Sequence, residues 1–169
     1  PEFASILGDK RYNDKLSDVS EAAVARDLAA TRRFLRRFES IDPIGFSEQE
    51  RLNRELMIAD LRDDIEDAPF RAWLMPVTQR SGIHISAAQF PSLLTFTTVK
   101  DYDDFIARMK QLPRAFADIT ANMRKGMEGR LMPPRFLLGR VAEQAAQIGA
   151  QKPEETPFAR PLSKFPAGI

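Results

Sequence analysis

His84 is the only histidine, and there is no cysteine. Two-histidine zinc arrangements, thiolate chemistry and disulfides are therefore beyond what these residues can build. His84 lies between Ile83 and Ile85, a setting that suits a hydrogen-bonded structural residue better than a general base or ligand. No serine stands in a GxSxG elbow, and no glycine-rich phosphate loop is present. Asp60, Asp63, Asp64, Glu66 and Asp67 gather carboxylates, but without the glycine and alternating spacing of a calcium loop. They crowd the C-terminal half of a helix, where negative charge is unfavourable, so the pattern asks for a cationic neighbour rather than a metal. Arg32, Arg33, Arg36 and Arg37, at i, i+1, i+4 and i+5, form one helical edge and are the expected neighbour. An anion site is the sharper reading of that edge; a solvated face complementing its own helix dipole is the plainer one. Met109, Met123, Met127 and Met132 recur at helical spacing and read as core, with an adaptable groove as the alternative.

The elements that must carry these groups are helical. Pro1 to Leu7 reads as a helix end stopped at Gly8. Ser20 caps a helix to about Ser40, with Val24, Leu28, Leu35 and Phe38 toward one side and alanines 22, 23, 25, 29 and 30 allowing close approach. Ser47-x-x-Glu50 is a capping box, opening a helix to about Asp67. The short link predicts an antiparallel pair. Thr98 and Asp101 open another helix, with Tyr102, Phe105, Ile106 and Met109 at i, i+3, i+4 and i+7. Pro113 suits the first turn of the next, and Pro133-Pro134 precedes a fifth that ends at Gly149. The expectation is all-α: about five main helices in antiparallel hairpins, spanning 1–150. Residues 151–169 read as an extended Pro-rich tail or linker, anchored through Phe158, Leu162 and Phe165.

Residues 69–97 interrupt this pattern. Pro69, Pro76, Gly82 and Pro91 punctuate a long apolar irregular segment. A loop this apolar is expected to be pinned onto the helices or onto a partner surface. Within or beside it, Phe70, Trp73, His84, Phe90 and Tyr102 are the candidate packing or substrate-cleft contacts.

The 169 residues suit one ordinary domain or part of a larger protein, and 43% hydrophobic residues permit a real core. Net charge is +1; residues 1–85 carry 13 Lys/Arg against 16 Asp/Glu, and residues 86–169 carry 12 against 8. That tilt lacks the concentrated basic stripe of a nucleic-acid binder. No apolar run is long enough to span a membrane.

Several ordered pieces carry a family resemblance. They are Leu7-Gly8-Asp9-Lys10-Arg11-Tyr12-Asn13-Asp14, then the Gly82 segment leading to Phe96-Thr97-Thr98-Val99-Lys100-Asp101-Tyr102, then Ile106-Ala107-Arg108-Met109 with Leu112-Pro113. Met123 to Gly129 with Pro133-Pro134-Arg135, and Thr156 to Leu162, complete the set. In this order they resemble the N-terminal part of the bacterial domain of unknown function family 885. Members are longer, largely helical, often carry export or lipoprotein signals, and resemble zinc metallopeptidases through an HExxH-type helix in their later part. The resemblance implies that this chain is a non-catalytic cleft-wall or lid region of such a hydrolase. It implies no catalytic, cofactor-binding or metal residue here, any zinc belonging to the later part. The expected partner is the remainder of the polypeptide, or a second copy, met through residues 69–97. The resemblance also implies a periplasmic or lipoprotein setting. The chain begins with Pro1 rather than methionine, so no leader can be read. A stand-alone protein-interaction module and a non-catalytic ligand-binding bundle are the alternatives.

Overall fold

In the computed structural model, residues 1–163, 165 and 166 are described. Among them are seven α-helices and no strand: α1 (Glu2–Ile6), α2 (Glu21–Glu39), α3 (Glu48–Asp67), α4 (Ile83–Gln89), α5 (Val99–Met109), α6 (Leu112–Glu128) and α7 (Arg135–Gly149). Five are long, as the apolar periodicity implies. The chain divides into two compact units, residues 20–73 and residues 1–19 with 74–169.

The smaller unit is the α2/α3 hairpin. The Ser20 hydroxyl accepts from the Ala23 N–H, and Ser47 and Glu50 form the reciprocal capping box. These caps satisfy amides that the first helical turn leaves without partners. Ile58 is buried, and on the same side Arg54 donates to the carbonyls of Phe38 (3.1 Å) and Glu39 (3.0 Å). The interhelix ion pair is Arg62–Glu39, 2.6 Å. Among the described residues, Arg32, Arg33, Arg36 and Arg37 do not make the expected ion pairs with the acids of α3. The antiparallel link puts those arginines beside the start of α3 and leaves the acids at the far end.

The larger unit holds the core: Leu74, Val77, Phe90, Tyr102, Phe105, Ala115 and Ile119 are buried. Gly8, at φ +87°, closes α1 in the left-handed conformation that glycine permits. Thr98 and Asp101 cap α5 reciprocally, and Pro113 sits in the first turn of α6.

Two expectations need correction. Residues 69–97 are not wholly irregular: they contain α4 and 3-10 turns at Ala68–Phe70, Ala72–Leu74 and Phe90–Leu93. Proline and glycine cut the segment into pieces too short for a long helix but long enough for a turn each. The tail is not extended through Leu162. It folds into 3-10 turns at Pro153–Glu155 and Pro157–Leu162. Proline's fixed φ near −65° serves a 3-10 turn as well as an extended helix. Residues 164 and 167–169 of the expected tail lie outside the described residues.

Candidate functional site

The most ordered polar arrangement is in the larger unit, where α5 and α6 hold residues 1–19. Arg108 on α5 is 1% exposed. Its Nη2 donates to Ser5 Oγ at 2.8 Å and to the Tyr12 carbonyl. The guanidinium lies over the Phe90 ring, 4.4 Å from its centroid. Nε and Nη1 are buried without a protein partner. Burial lowers the Arg108 pKa, against the pull of the Glu2, Asp14 and Asp104 carboxylates. Arginine keeps its proton over any ordinary pH.

One turn further on, Gln111 Nε2 donates to the Asp14 carbonyl (2.7 Å), and its Oε1 accepts from the Leu16 N–H (3.2 Å). Asn122 on α6 donates to the Val19 carbonyl at 2.8 Å. At the start of α5, Asp101 Oδ1 pairs with Lys10 Nζ at 2.7 Å, and Oδ2 accepts from the N–H groups of Thr97 and Thr98, both at 2.9 Å. Burial alone would raise the Asp101 carboxyl. The Lys10 ammonium and the threonine donors outweigh it and hold the group well below the usual carboxylate range. Within the segment, Ser17 donates to Glu2 through its N–H (2.8 Å) and its hydroxyl (2.6 Å).

The candidate contacts fall at separate places. His84 is buried; its Nε2 lies 3.3 Å from Gln144 Oε1, while its Nδ1 has no protein partner. Gln144 in turn donates to the Gln79 carbonyl at 3.1 Å. Gly82, at φ +131°, lies beside this imidazole, and a Cβ there would come within 3.1 Å of the ring. Phe90 lies beneath Arg108. Tyr102 packs against Phe96 (5.0 Å) and Phe165 (5.1 Å). Trp73 is half-buried, and Phe70 is 71% exposed; both belong to the smaller unit. Met127 and Met132 are exposed, so the methionine series is not uniformly core. The sequence reading passed over Arg108, Asp101, Gln111 and Asn122 as functional positions. For Asp101 and Arg108 the one signal is a polar series, 101, 104 and 108, running along α5 beside the apolar one; Gln111 and Asn122, at the cap and in the middle of α6, have no such signal.

The family model described as "Bacterial protein of unknown function (DUF885)" matches residues 1–168. The chain belongs to the DUF885 family. No curated protein and no solved structure matches it. Two of the stretches that carry the resemblance have a structural use here. The Leu7–Asp14 stretch is what α5 grips. In the Met123–Gly129 stretch, Gly126 admits the main chain: a Cβ there would lie 2.7 Å from the Leu74 carbonyl oxygen and 2.8 Å from that of Leu131.

These residues do not fit a zinc centre. Among the described residues, no three of His, Cys, Asp or Glu converge as a metal site, and the one imidazole is held by Gln144. Two open depressions mark the hairpin, one of about 520 Å³ between α2 and α3 and one of about 300 Å³ between Pro43-Ile44 and α3, and Arg54 and Glu55 line both. No helix among the described residues is long and apolar enough to cross a membrane.

Proposed function

We propose that this chain is a helical wall or lid bordering the substrate cleft of a zinc-peptidase-like hydrolase, with no catalysis of its own. The observation that carries the reading is how the buried polar groups are used. Arg108, Gln111 and Asn122 hold backbone atoms of residues 12–19, and Asp101 holds Lys10. Those are the tasks of a scaffold. A reactive site would gather titratable groups around open space. The resemblance of the ordered motifs to the N-terminal part of longer zinc-peptidase-like proteins supplies the hydrolase half, by analogy. Within the larger unit, the part of the apolar segment that follows Trp73 leaves Leu93 51% exposed, free to meet the catalytic half.

The test is zinc content and peptide hydrolysis of the purified chain, with and without added zinc. Neither stoichiometric zinc nor turnover is expected, and zinc-dependent turnover by this chain would overturn the proposal. Sequencing the gene past codon 169 tests the other half: a continuing frame with an HExxH helix supports it, and a stop refutes it. A stop would favour the stand-alone interaction module, for which the exposed Phe3 and Phe136 speak.

A further inference from the structure

Helix α3 is apolar on two sides. Ile58, with half-buried Leu61 and Ile65, shares a side with Arg54, which reaches the carbonyls of α2. Leu52, Leu56 and Ala59, at i, i+4 and i+7, fall on the other side; Leu52 and Leu56 are 46% and 54% exposed. Nothing in the hairpin covers that strip.

The charges lack ionic partners, although Arg33 and Arg37 lie over the Phe34 ring, 5.8 and 5.7 Å from its centroid. Among the described residues, neither the arginines of the α2 edge nor Asp60, Asp63 and Asp64 of α3 form an ion pair, and α3 has no basic residue in its last turn. The arginines stand within roughly 12 Å of the linked end, and the acids begin roughly 18 Å beyond it, at about 1.5 Å per residue. With the roughly 8–10 Å between packed helix axes added to that offset, the nearest such pair lies about one screening length apart, so the two groups do little for each other. The linked end carries the basic edge of α2 beside Glu39 and the α3 residues Glu48, Glu50 and Glu55, while the charges on α3 beyond Arg62 are all acidic.

We propose that this hairpin is a self-association surface on which a second copy of the chain lies antiparallel. The basic edge of each copy meets the acidic half of α3 in the other, across the Leu52–Leu56–Ala59 strip. A second copy is the occupant because the complementary pattern is on this same chain: two like rods laid antiparallel satisfy both ends at once. A two-fold arrangement repeats the contact and closes on itself. The surface is distinct from the 69–97 segment.

Sedimentation of the whole chain tests this, over roughly 1–100 µM and at low and high salt. The expected result is a dimer whose dissociation constant rises at least about tenfold from roughly 50 to 500 mM salt. Reversing the basic edge (Arg33→Glu, Arg36→Glu, Arg37→Glu) should give a monomer with unchanged helical circular dichroism. Reversing the acids (Asp60→Lys, Asp63→Lys, Asp64→Lys) should do the same. An equimolar mixture of the two variants should recover the dimer, since each carries the charge the other now lacks. A monomeric wild type, a dimer that survives either reversal, or a mixture that stays monomeric overturns the proposal.

Discussion

Taking a guanidinium out of water is costly, and at Arg108 the protein answers only Nη2, with a carbonyl and a hydroxyl, and lays the group on a ring face with no carboxylate beside it. Replacing it by methionine leaves the Tyr12 carbonyl and Ser5 without their donor. The expected cost is about 2–4 kcal/mol by urea unfolding. Arg108→Lys should recover only part of it, because an ammonium can donate to both acceptors but costs more to desolvate and has no planar face to lay on Phe90; a loss under about 0.5 kcal/mol for Arg108→Met would contradict this account. Asp101 makes a pH prediction. Its carboxyl is held below its unfolded value of about 3.9, so the stability it contributes is fully present above that pH and is lost as pH falls below it toward the folded value. Wild type should therefore lose stability more steeply than Asp101→Asn below about pH 4, and in parallel with it between pH 5 and 7. Parallel curves throughout would show that the Lys10–Asp101 contact adds nothing.

At the scale of elements, the caps were legible because they are local: Ser20, Ser47 with Glu50, and Thr98 with Asp101 each act within three residues. The inward face of α5 was only half legible. Periodicity placed Tyr102, Phe105 and Ile106 together, yet Ile106 is 41% exposed while Asp101, Asp104 and Arg108 are buried. A polar residue goes inside only when its partner is there, and Tyr12 is 96 positions away. By helix propensity alone, Gly126 is a weak spot in α6. Alanine there would gain about 1 kcal/mol in helix propensity, but its methyl would strike two main-chain oxygens that have no side-chain freedom to yield. We expect Gly126→Ala to destabilise by about 1–3 kcal/mol in thermal or urea melts. A stabilised variant would mean that the contact with residue 74 is looser than described.

At the scale of the whole chain, all-α architecture and five long helices were open to a reading of apolar spacing. The division into residues 20–73 and the remainder was not, because it depends on the N-terminal stretch returning to helices that begin about 80 residues later. That return predicts the effect of removing residues 1–19. Without them Arg108, Asp101, Gln111 and Asn122 lose their partners together, and the larger unit should melt earlier and less cooperatively, as followed by circular dichroism. An unchanged melt would make the segment ornamental.

The grip on that segment has one more consequence. Tyr12, Asp14, Leu16 and Val19 are all held by main-chain atoms. The helices thus recognise the path of residues 12–19 and are largely blind to the side chains displayed there. A synthetic peptide of residues 1–19 should dock in trans onto a chain cut after residue 19, reconstituting a split protein. Versions scrambled at Arg11 and Lys15 should reconstitute it as well as the native peptide.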